Sequence, residues 1–462
     1  MLEGLEISEV MLSEVLKDND TNRIDSEYFK KDFFNFFKNI SNLEPLANFV
    51  EDGYRVVYEN TEIVDSDLGQ RMNLPYFLQA TDLETPFIRT DNLFYVNESE
   101  WNRYPKGRIK RGELLIEVKG KLEKVSIVPD DFPEKTLVSG SLFKLTVNER
   151  INKHVLLCYL ICKYGVAFKD RYKTNLLISY ISKSDLYRIP IPNFSLQFQN
   201  EIDRRFKSLY EKQKQSKSLY SEAEEILLSE LGIKDWQPNS APVNIKQLKE
   251  SFEVSGRLDA EYYQTKYDEL FSRLSKFECS TIKNIATIKK SIEPGSDAYQ
   301  ECGIPFVRVS DVTKFGISEP NIYLSPKDFD LKELQPKKNT ILLSKDGSVG
   351  IAYKVENDMD CITSGALLHL SVFNQDYTPD YLTLVLNSIV VRMQAERDSN
   401  GAIIKHWKPS EIEQVIIPKL PMPIQETISA KIQESFALKA ESKRLLEEAK
   451  LMVEREIEKG GK

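Results

Sequence analysis

The chain has 462 residues, 41% hydrophobic and 29% charged, with a formal net charge of −8. Such a length sets a prior of roughly two to four domains, and such a composition excludes an intrinsically disordered chain. No apolar run approaches the ~20 residues that span a bilayer, which argues against a membrane partner.

The start, Met1-Leu2-Glu3-Gly4-Leu5-Glu6, shows no basic or apolar leader pattern, so no secretory signal is expected. Five cysteines (Cys158, Cys162, Cys279, Cys302, Cys361) form no C-x-x-C pair and are too sparse for a disulfide framework. A reducing cytoplasm is the simplest location for such usage. Charge is unevenly spread. Residues 1–100 carry 8 basic and 21 acidic residues, whereas residues 101–190 carry 18 basic and 9 acidic. The densest basic stretch is Arg103, Lys106, Arg108, Lys110 and Arg111. A basic patch on an acidic chain suits a polyanion reached by one face, and equally a solvated loop.

In chain order, the first signal is Arg23-Ile24-Asp25-Ser26-Glu27-Tyr28-Phe29, which returns as Arg257-Leu258-Asp259-Ala260-Glu261-Tyr262-Tyr263 with four of seven positions identical. Pro86-Phe87-Ile88-Arg89 similarly resembles Pro305-Phe306-Val307-Arg308, and Val138-Ser139-Gly140-Ser141-Leu142 resembles Thr363-Ser364-Gly365-Ala366-Leu367. The apolar runs Leu114 to Val118 and Thr340 to Leu343 read as strands. Lys119-Gly120-Lys121 and Lys345-Asp346-Gly347-Ser348-Val349-Gly350 read as the turns after them. His154 to Lys163 and Asp380 to Arg392 read as helices. Ile191-Pro192 and Gln199 recur as Ile417-Pro418 and Gln425. Order and spacing together indicate a tandem duplication.

Each copy ends in a long helix. Phe198 to Leu231 contains neither Pro nor Gly, and Gly232 follows as a stop. Alternating 4–3 spacing gives a heptad seam of Ile202, Phe206, Leu209, Tyr220, Ala223 and Leu227 in the first helix. The second places Ile428, Ile432, Leu446, Ala449 and Val453 at the same positions. Both seams carry polar residues in the middle: Gln213 and Ser216, then Ser435, Lys439 and Ser442. Two matched seams invite antiparallel pairing, and a helix of this size is about 51 Å long at 1.5 Å per residue. The fold class expected is mixed α/β, with two strand-and-helix domains each followed by a long helix. The boundaries are 1–196 for the first domain, 197–234 for its helix, 235–244 for a linker, 245–422 for the second domain and 423–459 for its helix.

Catalytic signatures are missing. His154, His369 and His406 are far apart in sequence, none at metal-ligand spacing. No phosphate-binding glycine motif, G-x-S-x-G elbow or methyltransferase signature of the Asn-Pro-Pro-Tyr kind occurs. No cofactor is called for. Cys158 and Cys162, one helical turn apart on an apolar stretch, read as core packing. Glu117-Val118-Lys119 resembles half of a nuclease strand, with Asp91 as an upstream acid. The blander reading is an amphipathic strand, and the aligned second-copy residues, Ser344, Lys345 and Asp346, lack the carboxylate at the first position.

The duplicated order, the Ile191-Pro192-Asn193-Phe194 to Gln199 pattern, its counterpart from Ile417 to Gln425, and the segment Ile341 to Gly350 resemble the specificity subunit of a type I restriction–modification system. The resemblance spans nearly the whole chain and is stronger in the second half. It implies a subunit without catalysis of its own. Two target recognition domains would each read half of a split DNA site, and the two helices would form a coiled coil that docks DNA adenine methyltransferase subunits. A restriction–translocase subunit is a further partner, and S-adenosylmethionine, ATP and magnesium would belong to the partners. DNA readers need Lys and Arg for phosphates and polar side chains for base edges. The candidates are Arg103, Lys106, Arg108, Lys110, Arg111, Lys119 and Lys121 in the first domain, and Arg308, Lys345, Ser348, Lys405 and Lys408 in the second. Two other readings compete: a metal-dependent nuclease using Glu117 and Lys119, and a coiled-coil protein scaffold that touches no nucleic acid.

Overall fold

A computed structural model describes residues 11–15, 19, 23–26, 28–30, 43–58, 61–64, 66–90, 93–174, 178–239, 241, 243–399, 401 and 405–460. The chain divides into two compact units, one of Met1–Lys212 with Ala440–Lys462 and one of Gln213–Lys439. Both are mixed α/β.

The first unit is built from twelve strands among the described residues: β1 (Leu43–Pro45), β2 (Val50–Tyr54), β3 (Ile63–Val64), β4 (Tyr76–Leu78), β5 (Leu83–Glu84), β6 (Phe87–Ile88), β7 (Phe94–Val96), β8 (Leu114–Glu117), β9 (Val125–Ile127), β10 (Thr136–Val138), β11 (Leu142–Val147) and β12 (Pro190–Pro192). An antiparallel sheet has the order β2-β11-β8-β9. A second sheet, β10-β4-β7-β3, contains the parallel pair β4–β10. β1 pairs with β12, and β5 with β6. All four residues of β8 are buried: Leu114 and Ile116 enter one apolar cluster and Leu115 another. A strand covered on both faces carries a continuous apolar run rather than an alternating one, which is why Leu114 to Ile116 reads as it does.

The second unit repeats the plan with β13 (Cys279–Thr281), β14 (Ala286–Lys290), β15 (Ile304–Val307), β16 (Val312–Thr313), β17 (Gly316–Ile317), β18 (Tyr323–Leu324), β19 (Ile341–Ser344), β20 (Ala352–Lys354), β21 (Ile362–Thr363), β22 (Leu367–Val372) and β23 (Ile416–Pro418). Its antiparallel sheet is β14-β22-β19-β20, its parallel pair is β15–β21, and its ribbons are β13–β23 and β16–β17. Registers agree as well. Leu142 faces Glu117 in one sheet as Leu367 faces Ser344 in the other.

This topology corrects one sequence pairing. Phe306 and Val307 lie on β15, the counterpart of Phe77 and Leu78 on β4, whereas Phe87 and Ile88 form the hairpin strand β6. The Pro-Phe-apolar-Arg likeness is therefore local. The helical expectation over 380–392 also changes. Pro379–Asn387 and Ile389–Asp398 are separate helices, broken where Ser388 turns extended and its Oγ accepts from Val390 N. In the first unit, Lys153–Ile161 is likewise followed by a second helix, Lys163–Tyr172. Gly165 allows the close fold-back there, since a Cβ would lie 2.0 Å from Tyr159 O.

The recurring motifs have structural reasons. Arg23 grips Asp25 with two hydrogen bonds (2.7 and 2.8 Å) and donates to Arg171 O and Lys173 O at the end of Lys163–Tyr172. Arg257 grips Asp259 in the same way and donates to Asp398 O at the end of Ile389–Asp398. A cation fixed at a helix C-terminus meets its dipole and an orphan carbonyl. Gln199 accepts from Asn152 N (2.7 Å) and donates to Phe194 O (3.0 Å). Gln425 accepts from Thr378 N (3.0 Å) and donates to Asp376 O and Leu420 O.

The long helices are Leu196–Glu230 and Met422–Gly460. Ile202, Phe206, Leu209, Leu446, Ala449 and Val453 are buried together in the first unit's core, and Tyr220, Ala223, Leu227, Ile428 and Ile432 in the second's. Polar seam residues donate to backbone carbonyls. Ser435 Oγ donates to Ser216 O (2.7 Å) within the second unit, and Ser442 Oγ to Leu209 O (3.2 Å) within the first. Lys439 is half-buried and donates to Phe315 O (3.1 Å).

Gln425 is fully buried, so Gln425→Leu strands one N–H and two carbonyls. At ~1–3 kcal/mol per unmade buried hydrogen bond, the variant is expected to lose about 3 kcal/mol or more of stability. Urea unfolding followed by circular dichroism checks this, and an unchanged midpoint refutes it.

Candidate nucleic-acid interface

In the first unit the structure divides the basic candidates into two groups. Arg103 to Arg111 precede β8, and Lys119 and Lys121 follow it, so a strand of about 14 Å separates them. The leading group is set on aromatic rings: Arg108 lies 4.2 Å from the Trp101 ring centre, Arg103 5.4 Å from Tyr104 and Lys106 5.7 Å from Tyr54. Arg111 reaches Glu134 at 3.1 Å, with both groups exposed. A buried pair holds this loop. Lys144 Nζ meets Glu113 Oε1 at 2.9 Å and Arg108 O at 2.8 Å, while Glu113 Oε2 accepts from Lys110 N at 2.7 Å.

In the second unit, four of the five candidates converge. Lys345 and Ser348 occupy the turn after β19, and Lys405 and Lys408 lie on a segment clipped to that turn. Gly347 N donates to Lys405 O (2.9 Å) and Trp407 N to Lys345 O (2.8 Å). Arg308 stands apart, at the start of the turn Val309–Asp311, with Nη2 on Asn321 Oδ1 (3.3 Å). Two residues that sequence reasoning did not place complete the group. Asp346 takes a hydrogen bond from Lys345 and lies 2.8 Å from His406 Nδ1. Burial works to raise the Asp346 carboxyl, but the Lys345 and His406 contacts outweigh it and hold the group below its ordinary range. It is thus a carboxylate, an acceptor amid lysines. The signal available in sequence was the turn Asp346-Gly347-Ser348 itself. His406 lies 60 residues away and carried none.

The first unit has the same clip. Gly120 N donates to Ser179 O (3.0 Å) and Ile181 N to Val118 O (3.1 Å), so Lys119 stands where Asp346 does and Tyr180 where His406 does. Arg55, also missed, lies 4.5 Å from the Tyr180 ring centre.

The nuclease residues have other employment. Glu117 is 7% exposed, and its Oε2 accepts from Glu123 N (3.1 Å) and Lys124 N (3.3 Å). Ser344, at the same place in the second unit, accepts from Ile351 N (2.8 Å). Both side chains close the turn that follows the strand. Asp91 lies outside the described residues. Among the described residues, no group of three or more His, Cys, Asp or Glu side chains is placed to hold a metal, and no helix is long and apolar enough to cross a membrane. Cys158 and Cys162 are fully buried.

Residues 275–450 match the family described as the type I restriction modification DNA specificity domain. No curated protein matches the chain in sequence. Among solved structures, an S subunit of a type I restriction–modification system from M. genitalium is 13% identical, with 91% of this chain and 96% of that one covered at a TM-score of 0.37. The HsdS subunit from Thermoanaerobacter tengcongensis is 13% identical, with coverage of 91% and 97% and a TM-score of 0.29. The type IIG restriction endonuclease BpuSI is 12% identical over 38% of this chain and 28% of its own, at 0.30.

Two predictions follow from the buried groups. Lys144→Met leaves Glu113 buried without its cation and is expected to cost about 3–5 kcal/mol, whereas Glu113→Leu with Lys144→Met recovers most of that. A urea double-mutant cycle measures it, and equal loss in both variants refutes it. His154, beside Asp203 at 2.9 Å, and His369, beside Thr363 at 2.7 Å, are both pushed down to about 4 by burial. Between pH 4 and 6.5 the unfolded chain therefore binds more protons than the folded one, and stability rises with pH. Acidification through that window is expected to remove up to about 3 kcal/mol per histidine. Unfolding midpoints that fall as steeply in His369→Gln as in the unaltered chain would count against this assignment for His369.

Proposed function

We propose that the chain is the non-catalytic DNA sequence-specificity subunit of a type I restriction–modification complex. The observation that carries this reading is the family match of residues 275–450 to a DNA specificity domain. Support comes from the repetition of that segment's strand plan in the first unit, with cations at the same clip in both. Under this reading each unit reads one half of a bipartite duplex site. The domain limits are 1–196 and 245–422 for the readers, 197–234 and 423–459 for the helices, and 235–244 for the linker.

The helices act as the spacer. Within the first unit, Arg205 pairs with Glu448 and Lys212 with Glu441; within the second, Lys431 pairs with Glu222. Numbering falls along one helix as it rises along the other, as in an antiparallel coiled coil. Helices of about 50 Å can span half-sites 34–36 Å apart. The same helices dock DNA adenine methyltransferase subunits, with a restriction–translocase subunit as a further partner, in the cytoplasm. Phosphates fall to Arg103, Lys106, Arg108, Lys110 and Arg111 in the first unit, and to Lys405 and Lys408 in the second.

The test maps genome-wide adenine methylation in cells expressing the chain with its methyltransferase subunits and in cells lacking the chain. A split motif that vanishes without the chain is the expected result. Unchanged methylation by a demonstrably active methyltransferase sinks the reading and favours the scaffold.

A further inference from the structure

This inference rests on the DNA-reading function proposed above and concerns which side chains select bases. Reading a base edge requires polar side chains held at a fixed place, with cations nearby for the phosphates. In each unit, one place meets that requirement on the same backbone.

The clip is made of backbone hydrogen bonds in both units, so its path does not depend on the side chains it displays. In the first unit it displays Lys119 and Tyr180; in the second, Asp346 and His406. A neighbouring strand end reaches each clip. Arg55, just past β2, lies over Tyr180 and donates to Gly140 O (2.7 Å). In the second unit Lys290 stands at the register of Arg55, and Glu293, just past β14, pairs with it (2.9 Å). The strand end and the glycine turn touch in both units. A Cβ on Gly140 would lie 3.1 Å from Val56 O, and one on Gly365 would lie 2.7 Å from Glu293 Cγ.

One frame therefore carries two chemistries. The first face presents donors: Arg55, Lys119 and the Tyr180 hydroxyl. The second presents an acceptor, the Asp346 carboxylate, beside His406 and within a rim that includes Lys345 and Lys405. Arg and Lys donors match the O6 and N7 acceptors of guanine, whereas a carboxylate accepts from the N4 amino group of cytosine. Asp346 already holds Lys345 and His406, yet a carboxylate has about four lone-pair sites, so acceptor capacity remains. The surface is exposed at its centre, His406 being 62% exposed.

We propose that positions 119 and 180 in the first unit, and 346 and 406 in the second, are the base-selecting positions. The first favours guanine edges and the second an amino-bearing edge such as cytosine N4.

The experiment uses the full chain assembled with its methyltransferase subunits. Bound duplexes are selected from a random-sequence pool and sequenced for the unaltered chain, Asp346→Asn and Lys119→Met. Asp346→Asn exchanges one acceptor for a donor at nearly the same shape. It is expected to relax or switch base preference about tenfold within one half-site, leaving the other half intact. Lys119→Met is expected to do the same to the opposite half. Thermal unfolding establishes that each variant is folded. Should Asp346→Asn unfold early, the exposed Lys119 decides alone. Folded variants that keep both halves unchanged, or that weaken both halves equally, overturn the proposal. An unaltered chain that enriches no split motif overturns the function proposed above instead.

Discussion

The constraint on which each unit depends is a glutamine amide at the root of its long helix. Gln425 joins three elements: the start of Pro379–Asn387 through Thr378 N, the approach to that helix through Asp376 O, and the exit from β23 through Leu420 O. Gln199 makes the corresponding bonds to Asn152 N and Phe194 O. An amide suits this place because it donates and accepts at once, and neither a carboxylate nor an ammonium does both. Full burial of Gln425 raises the strength of its bonds and the penalty for losing any of them. The helix root is thereby tied to the sheet-covering helix in each unit, and the rest of the core closes around that joint.

The Arg-Asp grips work at the opposite end of the same helix layer. Their arginines satisfy carbonyls that a helix C-terminus leaves unpaired, and their aspartates keep the guanidinium in place. These two devices and the Ile-Pro strands account for the strongest recurrences in the sequence. What repeats is what holds each frame shut. What differs includes the side chains displayed on the clip, whose path backbone hydrogen bonds fix in both units.

That division explains how much could be read from sequence. The long helices and the central strands Leu114–Glu117 and Ile341–Ser344 were legible because each is written in local spacing, and the likeness of strand plan between the units because its motifs recur. The helix break at Ser388 was not, because Ser is also tolerated inside helices and only its capping bond to Val390 N marks the boundary. The pairing of Pro86–Arg89 with Pro305–Arg308 failed because a four-residue likeness cannot distinguish a sheet strand from a hairpin strand. The cationic candidates were legible as residue types, but their grouping was not. Asp346 meets His406, and Arg55 meets Tyr180, only through non-local strand pairing.

Glu117 and Ser344 show where side-chain freedom stops. Each sits at the end of a buried strand and must supply an acceptor to the N–H groups of the turn that follows. An apolar residue there would remove the side-chain acceptor of those N–H groups. The two turns have the same length, Ile116 facing Val125 as Leu343 faces Ala352, so a carboxylate and a hydroxyl serve one position. Two residues further on, Lys119 and Asp346 carry opposite charge on equivalent backbone, since their main-chain bonds already fix the turn, Lys119 being exposed and Asp346 pairing with Lys345 and His406. A fold arranged in this way confines variation to its displayed positions and excludes it from the acceptor beneath. Opposite chemistries can then occupy one frame without a change in topology.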